Sequence, residues 1–402
     1  MYRSVTFFLL SCVCLYGVNT QEGLNYLNTL RTSSGLIALK PSATLSKAAK
    51  SHATYLIQNQ TNGHYEKKGR YAYTGKTPSQ RVKKAGYPST VVMENISINT
   101  ANQKKSIDNL FAAIYHRFTF LNFYADSIGI GIHKTKKKRA IKQAYVYNLT
   151  SSELMKLCLQ PFSMKNGTYY MKGVCADAIK MIPQNIFEKK KKKIKKKNKS
   201  IILYPYAGQE EVPPVFYNES PDPLPKYKVS GFPVSVQFNT AYFKQVKLKS
   251  FKLYDSLGSE IKKTKILQVK NDPNHLLAKH EFALMPLARL EFAQRYTAVC
   301  KAVANGKLVT KKWTFKTREP KEKLYRVSKT SQTLEVKAGE TIVLYMVPSH
   351  RRDLLKNYRM KGGAKAVFID QNTLRVTLPK RKSSNRVSIR FGNKKKVKFI
   401  VN

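Results

Sequence analysis

The sequence predicts an α+β fold in its N-terminal third, followed by one or two all-β sandwiches of immunoglobulin-like type. Three observations predict it. Apolar residues recur at helical spacing in three stretches before residue 120. Two strand-like runs, Ser127–Ile132 and Gln143–Leu149, flank a basic loop at 134–139, as in a hairpin. Beyond residue 231 the pattern turns to short alternating strands separated by turn residues. Helices mixed with antiparallel pairs imply helices layered on a sheet. The chain has 402 residues, 42% hydrophobic and 11% aromatic, enough for two or three domains with real cores.

The first twenty residues read as an export signal. Arg3 supplies a short positive start, and residues 5–16 form a mostly apolar stretch interrupted by Ser11. Val18, Asn19 and Thr20 offer a cleavage site before Gln21, and the run is too short to span a bilayer. Leu9-Leu10-Ser11-Cys12 also approximates a lipobox, which would put a lipid anchor on Cys12. No apolar run elsewhere reaches about 18 residues, so no transmembrane span is expected.

Residues 22–150 form the expected α+β domain. Leu24, Leu27 and Leu30 mark a helix over 22–31. A stronger one covers 41–60, with Pro41 in its first turn and Leu45, Ala48, Ala49, His52 and Leu56 on one side. His52 is read there as a packed core residue. Ile107, Leu110, Phe111 and Ile114 predict a single helix over 106–118.

Residues 151–230 read as a connector. Helical signals near Leu154 and Ile179 give way to nine lysines within 189–199, a pattern expected of a solvated, mobile run. Six prolines between Pro205 and Pro225 suggest an extended linker or an irregular strand edge. Two β-domains follow, over 231–320 and 321–402, with the break expected near 318–323. Alternation is clearest at 234–238, 246–253, 296–300, 313–316, 342–345, 374–378 and 387–391.

The charge is extreme and evenly spread. There are 74 Lys and Arg against 23 Asp and Glu, a net +51. Residues 1–150 carry +16, residues 151–230 carry +8 and residues 231–402 carry +27. Either attraction to a polyanion or a bias in composition accounts for this. Sequence-specific nucleic-acid recognition is not expected: there is no zinc-finger spacing and no basic zipper, and the charge is not gathered on one element.

Among the cysteines, Cys12 and Cys14 fall in the signal. Cys158 and Cys175 bracket the turn pair Asn166-Gly167, which suggests a disulfide in an oxidising compartment or else two buried thiols. Cys300 sits in a strand-like run and reads as core. The string from Gly69 to Gly75-Lys76-Thr77 imitates a phosphate loop but is one residue too long, and Pro78 follows at once. Metalloprotease, serine-elbow and Cys-x-x-Cys motifs are absent from the mature chain.

Three strings carry the chemistry: Asn62-Gly-His64-Tyr-Glu66, Met93-Glu94-Asn95-Ile96, and Tyr115-His116-Arg117 ahead of Gly129-Ile-Gly131. With Ala48-Ala49-Lys-Ser-His52-Ala53 and Thr74-Gly75-Lys-Thr-Pro78-Ser-Gln-Arg81-Val-Lys-Lys-Ala85-Gly86-Tyr87, their order resembles the CAP superfamily: the cysteine-rich secretory, antigen-5 and pathogenesis-related proteins. The similarity is greatest to its bacterial, cysteine-poor branch. Met93 and Tyr115 stand where that pattern has glycine.

The resemblance implies an α-β-α sandwich whose cleft is lined by His64, Glu66, Glu94 and His116. It also implies that His64 and His116 can hold a divalent ion such as zinc, with the carboxylates beside it. Only five acids fall in residues 1–150, and two of them are Glu66 and Glu94. A hydrogen-bonded network that merely holds the loops is the competing reading of these four residues. The leading functional expectation is an exported protein, periplasmic, cell-surface or extracellular. Its first domain would bind a ligand or partner, and its β-domains would contact an anionic surface polymer or lipid. The alternatives are a metal-assisted hydrolase with Glu66 or Glu94 as base, and a lipid or sterol carrier.

Overall fold

The computed structural model describes residues 18–381, 383–392 and 395–402. The proposed signal up to residue 17, with Cys12 and Cys14, lies outside the described residues. No helix among the described residues is long and apolar enough to cross a membrane. The chain divides into two compact units. The first comprises residues 18–32, 37–109 and 124–194, and the second 33–36, 110–123 and 195–402.

In the first unit, α1 (Val18–Ser34) buries Leu24, Leu27 and Leu30 at the expected spacing. Strand β1 (Lys40–Pro41) precedes α2 (Ala43–Asn59). Pro41 is therefore in a strand and not in the first helical turn. The cap is Ser42, whose backbone is extended and whose hydroxyl oxygen accepts the Leu45 N–H at 3.4 Å. Helix α3 is Pro78–Lys84 and strand β2 is Met93–Ile98. The expected helix over 106–118 is two helices, α4 (Gln103–Ala112) and α5 (Ile114–Phe120), broken at Ala113 with φ −78° and ψ 111°. Strands β3 (Ser127–Lys134) and β4 (Gln143–Thr150) form the expected antiparallel hairpin.

The sheet runs β1-β3-β4-β2, antiparallel except for the β1–β3 pair. Alternation along β4 sorts its two faces. Ala144 and Val146 join Ala49, Ala53 and Leu56 of α2 in one core. Tyr147 points the other way and donates its hydroxyl hydrogen to Ser106 Oγ on α4 at 3.0 Å. Helices thus cover both faces of the sheet.

Gly129 and Gly131 set how closely α2 can approach. A Cβ on Gly131 would lie 2.1 Å from the Ala49 carbonyl carbon and the Lys50 nitrogen. Those are backbone atoms, which no rotamer change can move. Gly131→Ala is therefore expected to destabilise the first unit by about 1–3 kcal/mol, as overpacking does. Urea unfolding of the two proteins followed by far-ultraviolet dichroism measures it.

The segment expected to be a connector is mostly ordered structure. Helix α6 (Ser152–Leu159) is followed by a bridge between Cys158 and Cys175, with their Cα atoms 5.4 Å apart. Both cysteines sit in a core with Leu154, Leu157, Val174, Ile182 and Phe187. Ile179 is not helical and is 85% exposed. The lysine run is not a loose segment: most of it lies in α7 (Gln184–Lys196). Phe187 and Ile194, seven residues apart, fall on one side of that helix and are buried, which holds it against the unit while the lysines face outward. Lysine is itself a fair helix former.

In the second unit the β-structure begins at Ile201, so the expected boundary at 231 falls inside a sheet. Ile201–Tyr204 pairs with Val234–Phe238, and Gln209–Val212 pairs with Lys307–Thr317. Two four-stranded sheets occupy residues 201–317, and two more occupy 324–401. In the later pair one continuous core joins Ile342, Leu344, Leu374 and Val376 of one sheet to Val387, Ile389, Val397 and Phe399 of the other, which makes a sandwich. Residues 318–323 lie between the pairs and carry no strand. Cys300 is a free, buried thiol pushed up to about 12 by burial, consistent with a core role.

Candidate functional site

Three of the four cleft residues meet in the first unit. The capping box of α3 begins the arrangement: Thr77 Oγ1 accepts the Gln80 N–H at 3.2 Å, and the Gln80 side chain accepts the Thr77 N–H at 3.3 Å. Fixing that turn sends Arg81 back across the loop before it. Its Nη1 donates to the carbonyls of His64 (3.0 Å) and Gly75 (3.3 Å). Its Nη2 donates to both oxygens of Glu94, each at 2.8 Å. Its Nε lies 3.8 Å from Glu66 Oε1, so one wholly buried guanidinium serves two carboxylates.

Glu66 is held from other directions too. His52 Nδ1 is 2.8 Å from Oε1, and the backbone N–H groups of Thr74 and Gly75 donate to Oε2 at 2.6 and 3.2 Å. The second ring nitrogen of His52 faces the Gly63 carbonyl at 3.0 Å, so both nitrogens of that ring meet acceptors. Burial pushes the Glu66 carboxyl up, but the His52 bond, the Thr74 amide and the Arg81 charge together hold it below the ordinary carboxylate range. Burial likewise raises Glu94, and the bond to His64 with the charges of Arg81 and His52 outweighs it. Both acids are therefore fixed as carboxylates.

His64 is the accessible member. Its side chain is 41% exposed and its Nδ1 lies 3.0 Å from Glu94 Oε1. An imidazole gripped at Nδ1 by a carboxylate is oriented to present Nε2 outward. The imitation phosphate loop is explained here as well: the amide of Gly75 faces Glu66, and Thr77 caps a helix.

His116 lies on α5, counted with the second unit, with Nε2 3.9 Å from Glu219 Oε2. Its neighbours on that helix are anchored within the same unit. Ile114 and Phe118 belong to a core with Phe216, Leu267 and Met285. Arg117 is fully buried and donates to the Pro233 carbonyl at 2.8 Å and to Ser235 Oγ at 3.1 Å. Tyr115, one of the two departures from the glycine pattern, bonds Asp272 and accepts the Asn274 side-chain N–H at 2.9 Å.

Among the described residues no group of three or more His, Cys, Asp or Glu is arranged to hold a metal ion. The oxygens of Glu66 and Glu94 face Arg81, His52, His64 and loop amides, and the half-exposed His64 is the member of this group nearest to solvent. These residues do not fit a closed zinc centre, and both carboxylates accept hydrogen bonds from within the network.

Residues 24–149 match the sequence model of CAP, the cysteine-rich secretory protein family. This segment is a CAP domain. Among solved structures, the chain is similar to an outer surface protein from Borrelia burgdorferi, at 22% identity over 33% of this chain and 93% of that one, with a TM-score of 0.29. It is similar to an extracellular protein containing an SCP domain from Bacillus anthracis, at 17% identity over 33% of this chain and 40% of that one, with a TM-score of 0.28. It is also similar to tandem immunoglobulin domains of titin, at 12% identity over 42% of this chain and 87% of that one, with a TM-score of 0.17. No curated protein matches it.

Two members of the CAP-domain network escaped the sequence reading. His52 was read as packing, and it is buried, yet it also anchors Glu66. Arg81 stood in the quoted motif without a role. The signal that could have found it is charge balance: two acids destined for burial need a cation, and Arg81 lies within the same set of strings.

Proposed function

We propose that the chain is an exported envelope protein whose CAP domain is a ligand-binding or interaction module, with basic β-domains that contact anionic surface polymers. The observation that carries the reading is the closed network. Glu66 and Glu94 are held by Arg81, His52 and backbone amides, so they act as struts that fix the loops over 63–81 and present His64 at the surface. A hydrolase would need one of them free. The Cys158–Cys175 bridge supports an oxidising destination, as does the apolar start of the sequence. The net charge of +51, spread over every segment, supports an anionic partner.

Two measurements on the full mature chain test this. The protein is expected to be retained on immobilised polygalacturonate at about 0.05 M salt and released by about 0.5 M, as screened charge contacts require. No retention at low salt would overturn the polymer reading. After zinc loading and dialysis, wild type and the His64→Ala, His116→Ala double variant are expected to hold equally little metal. About one equivalent retained by the wild type and lost in the variant would overturn the non-catalytic reading and favour the metal-assisted hydrolase.

A further inference from the structure

The second unit contains a cavity of about 780 Å³, within the range of small-molecule sites. Its walls come from strands and loops of both β-domains. Four cations line it: Lys263, Arg289, Arg326 and Arg351, against the single acid Glu291, which is paired with Arg326. Val229, Leu287 and Val347 supply an apolar surface. Backbone hydrogen bonds tie the walls together. The Arg351 carbonyl accepts the Lys228 N–H at 2.7 Å, and the Lys263 carbonyl accepts the Leu287 N–H at 2.8 Å.

Arg289 is the built element. Its side chain is 1% exposed, and its Nη groups are fixed by Asp370 (2.8 and 3.1 Å), Tyr217 (3.2 Å) and Thr373 (3.2 Å). Its Nε has no hydrogen-bond partner among the described residues. A buried donor without an acceptor is costly, and the residue that carries it forms part of the cavity wall.

We propose that this cavity binds an acidic sugar unit of a glycan chain, its carboxylate or sulfate against the guanidinium groups and its ring against the apolar wall. This names the site for the polymer binding proposed above and rests on that reading. The cavity is too large and too apolar to be matched by a lone inorganic anion. Stacked nucleobases fit poorly, because base stacking uses open aromatic faces. Here Arg289 and Arg326 lie over the Tyr345 ring at 4.5 and 5.6 Å, and Arg351 lies over Tyr227 at 5.5 Å. Those contacts hold the cations in place for an anion.

The test titrates the full chain by calorimetry with tetragalacturonate, a sulfated heparin tetrasaccharide, neutral maltotetraose and inorganic sulfate. One or both acidic tetrasaccharides are expected to bind, identifying carboxylate or sulfate as the recognised group, with maltotetraose and sulfate silent. Lys263→Ala, Arg351→Ala at the exposed rim is expected to weaken that binding at least about tenfold, the loss of one to two charge-assisted hydrogen bonds. Lys247→Ala, Lys249→Ala removes the same charge from exposed positions that do not line the cavity, and is expected to leave it within about twofold. Equal losses in both variants would show general polyanion attraction and overturn the site while leaving the proposed function standing. So would a wild type that holds polygalacturonate but none of the tetrasaccharides. Failure to hold the polymer at all would sink both.

Discussion

Arg81→Ala is expected to destabilise the CAP domain by about 3–5 kcal/mol at neutral pH, the cost of leaving buried charge without its partner. The guanidinium is fully buried between two carboxylates that are themselves buried, so water cannot take its place at small cost. The carbonyls of His64 and Gly75 lose their donor at the same time. The sign of the pH dependence follows from the depressed carboxyls. Glu66 and Glu94 sit below their ordinary range in the folded state, so the stability they contribute is present above the unfolded carboxylate range and is lost as pH falls through the folded values. Without Arg81 that acid-sensitive contribution shrinks, and the gap between variant and wild type should narrow toward pH 3. Hydrogen exchange of the amides of Thr74 and Gly75, which Glu66 holds directly, reads the loss locally. An Arg81→Ala protein as stable as wild type at pH 7, with those amides still protected, would show that the network is incidental.

The same network marks how far a sequence can be read. Alternation and helical spacing are local, and they located α2, the β3–β4 hairpin and the later strands. They failed where two cores compete for one stretch. Ile107, Leu110, Phe111 and Ile114 fit one helix, yet the chain breaks at Ala113, and Ile114 joins a core built with Phe216 and Leu267, far along the chain. Nothing local announces that contact. The substitution of Tyr115 for glycine becomes intelligible only once Asp272 and Asn274 are beside it. The lysine run misled for the opposite reason: its charge dominates the local pattern, while two buried side chains seven residues apart decide its conformation. His64, Glu66 and Glu94 were legible as a group through the motif. Their partners were not, because a buried arginine and a packed histidine look like ordinary helix residues until the acids they serve are in view.

Glu219→Gln is expected to stabilise the second unit at alkaline pH and to change little at pH 5. The carboxyl is 12% exposed, and burial, with the charge of Asp222 adding to it, pushes it up to about 8 against the opposing Ile114 backbone and Arg117. The unfolded chain releases this proton near the ordinary glutamate value of about 4.3. Between those two values the folded state binds one more proton than the unfolded state, so stability falls as pH rises, at about 1.4 kcal/mol per unit. From pH 5 to pH 8 that amounts to about 4 kcal/mol, removed when the group is an amide that never ionises. Trp313, the only tryptophan, is buried in the Lys307–Thr317 strand of this unit, so its fluorescence follows the relevant transition. The nearby imidazole of His116 makes the outcome discriminating. If pairing with His116 at 3.9 Å governed Glu219, the carboxylate would be the favoured form, and Glu219→Gln would destabilise at pH 6. If burial governs it, the variant gains at pH 8, and His116 serves this unit as a neighbour of a neutral carboxylic acid and not as one half of an ion pair.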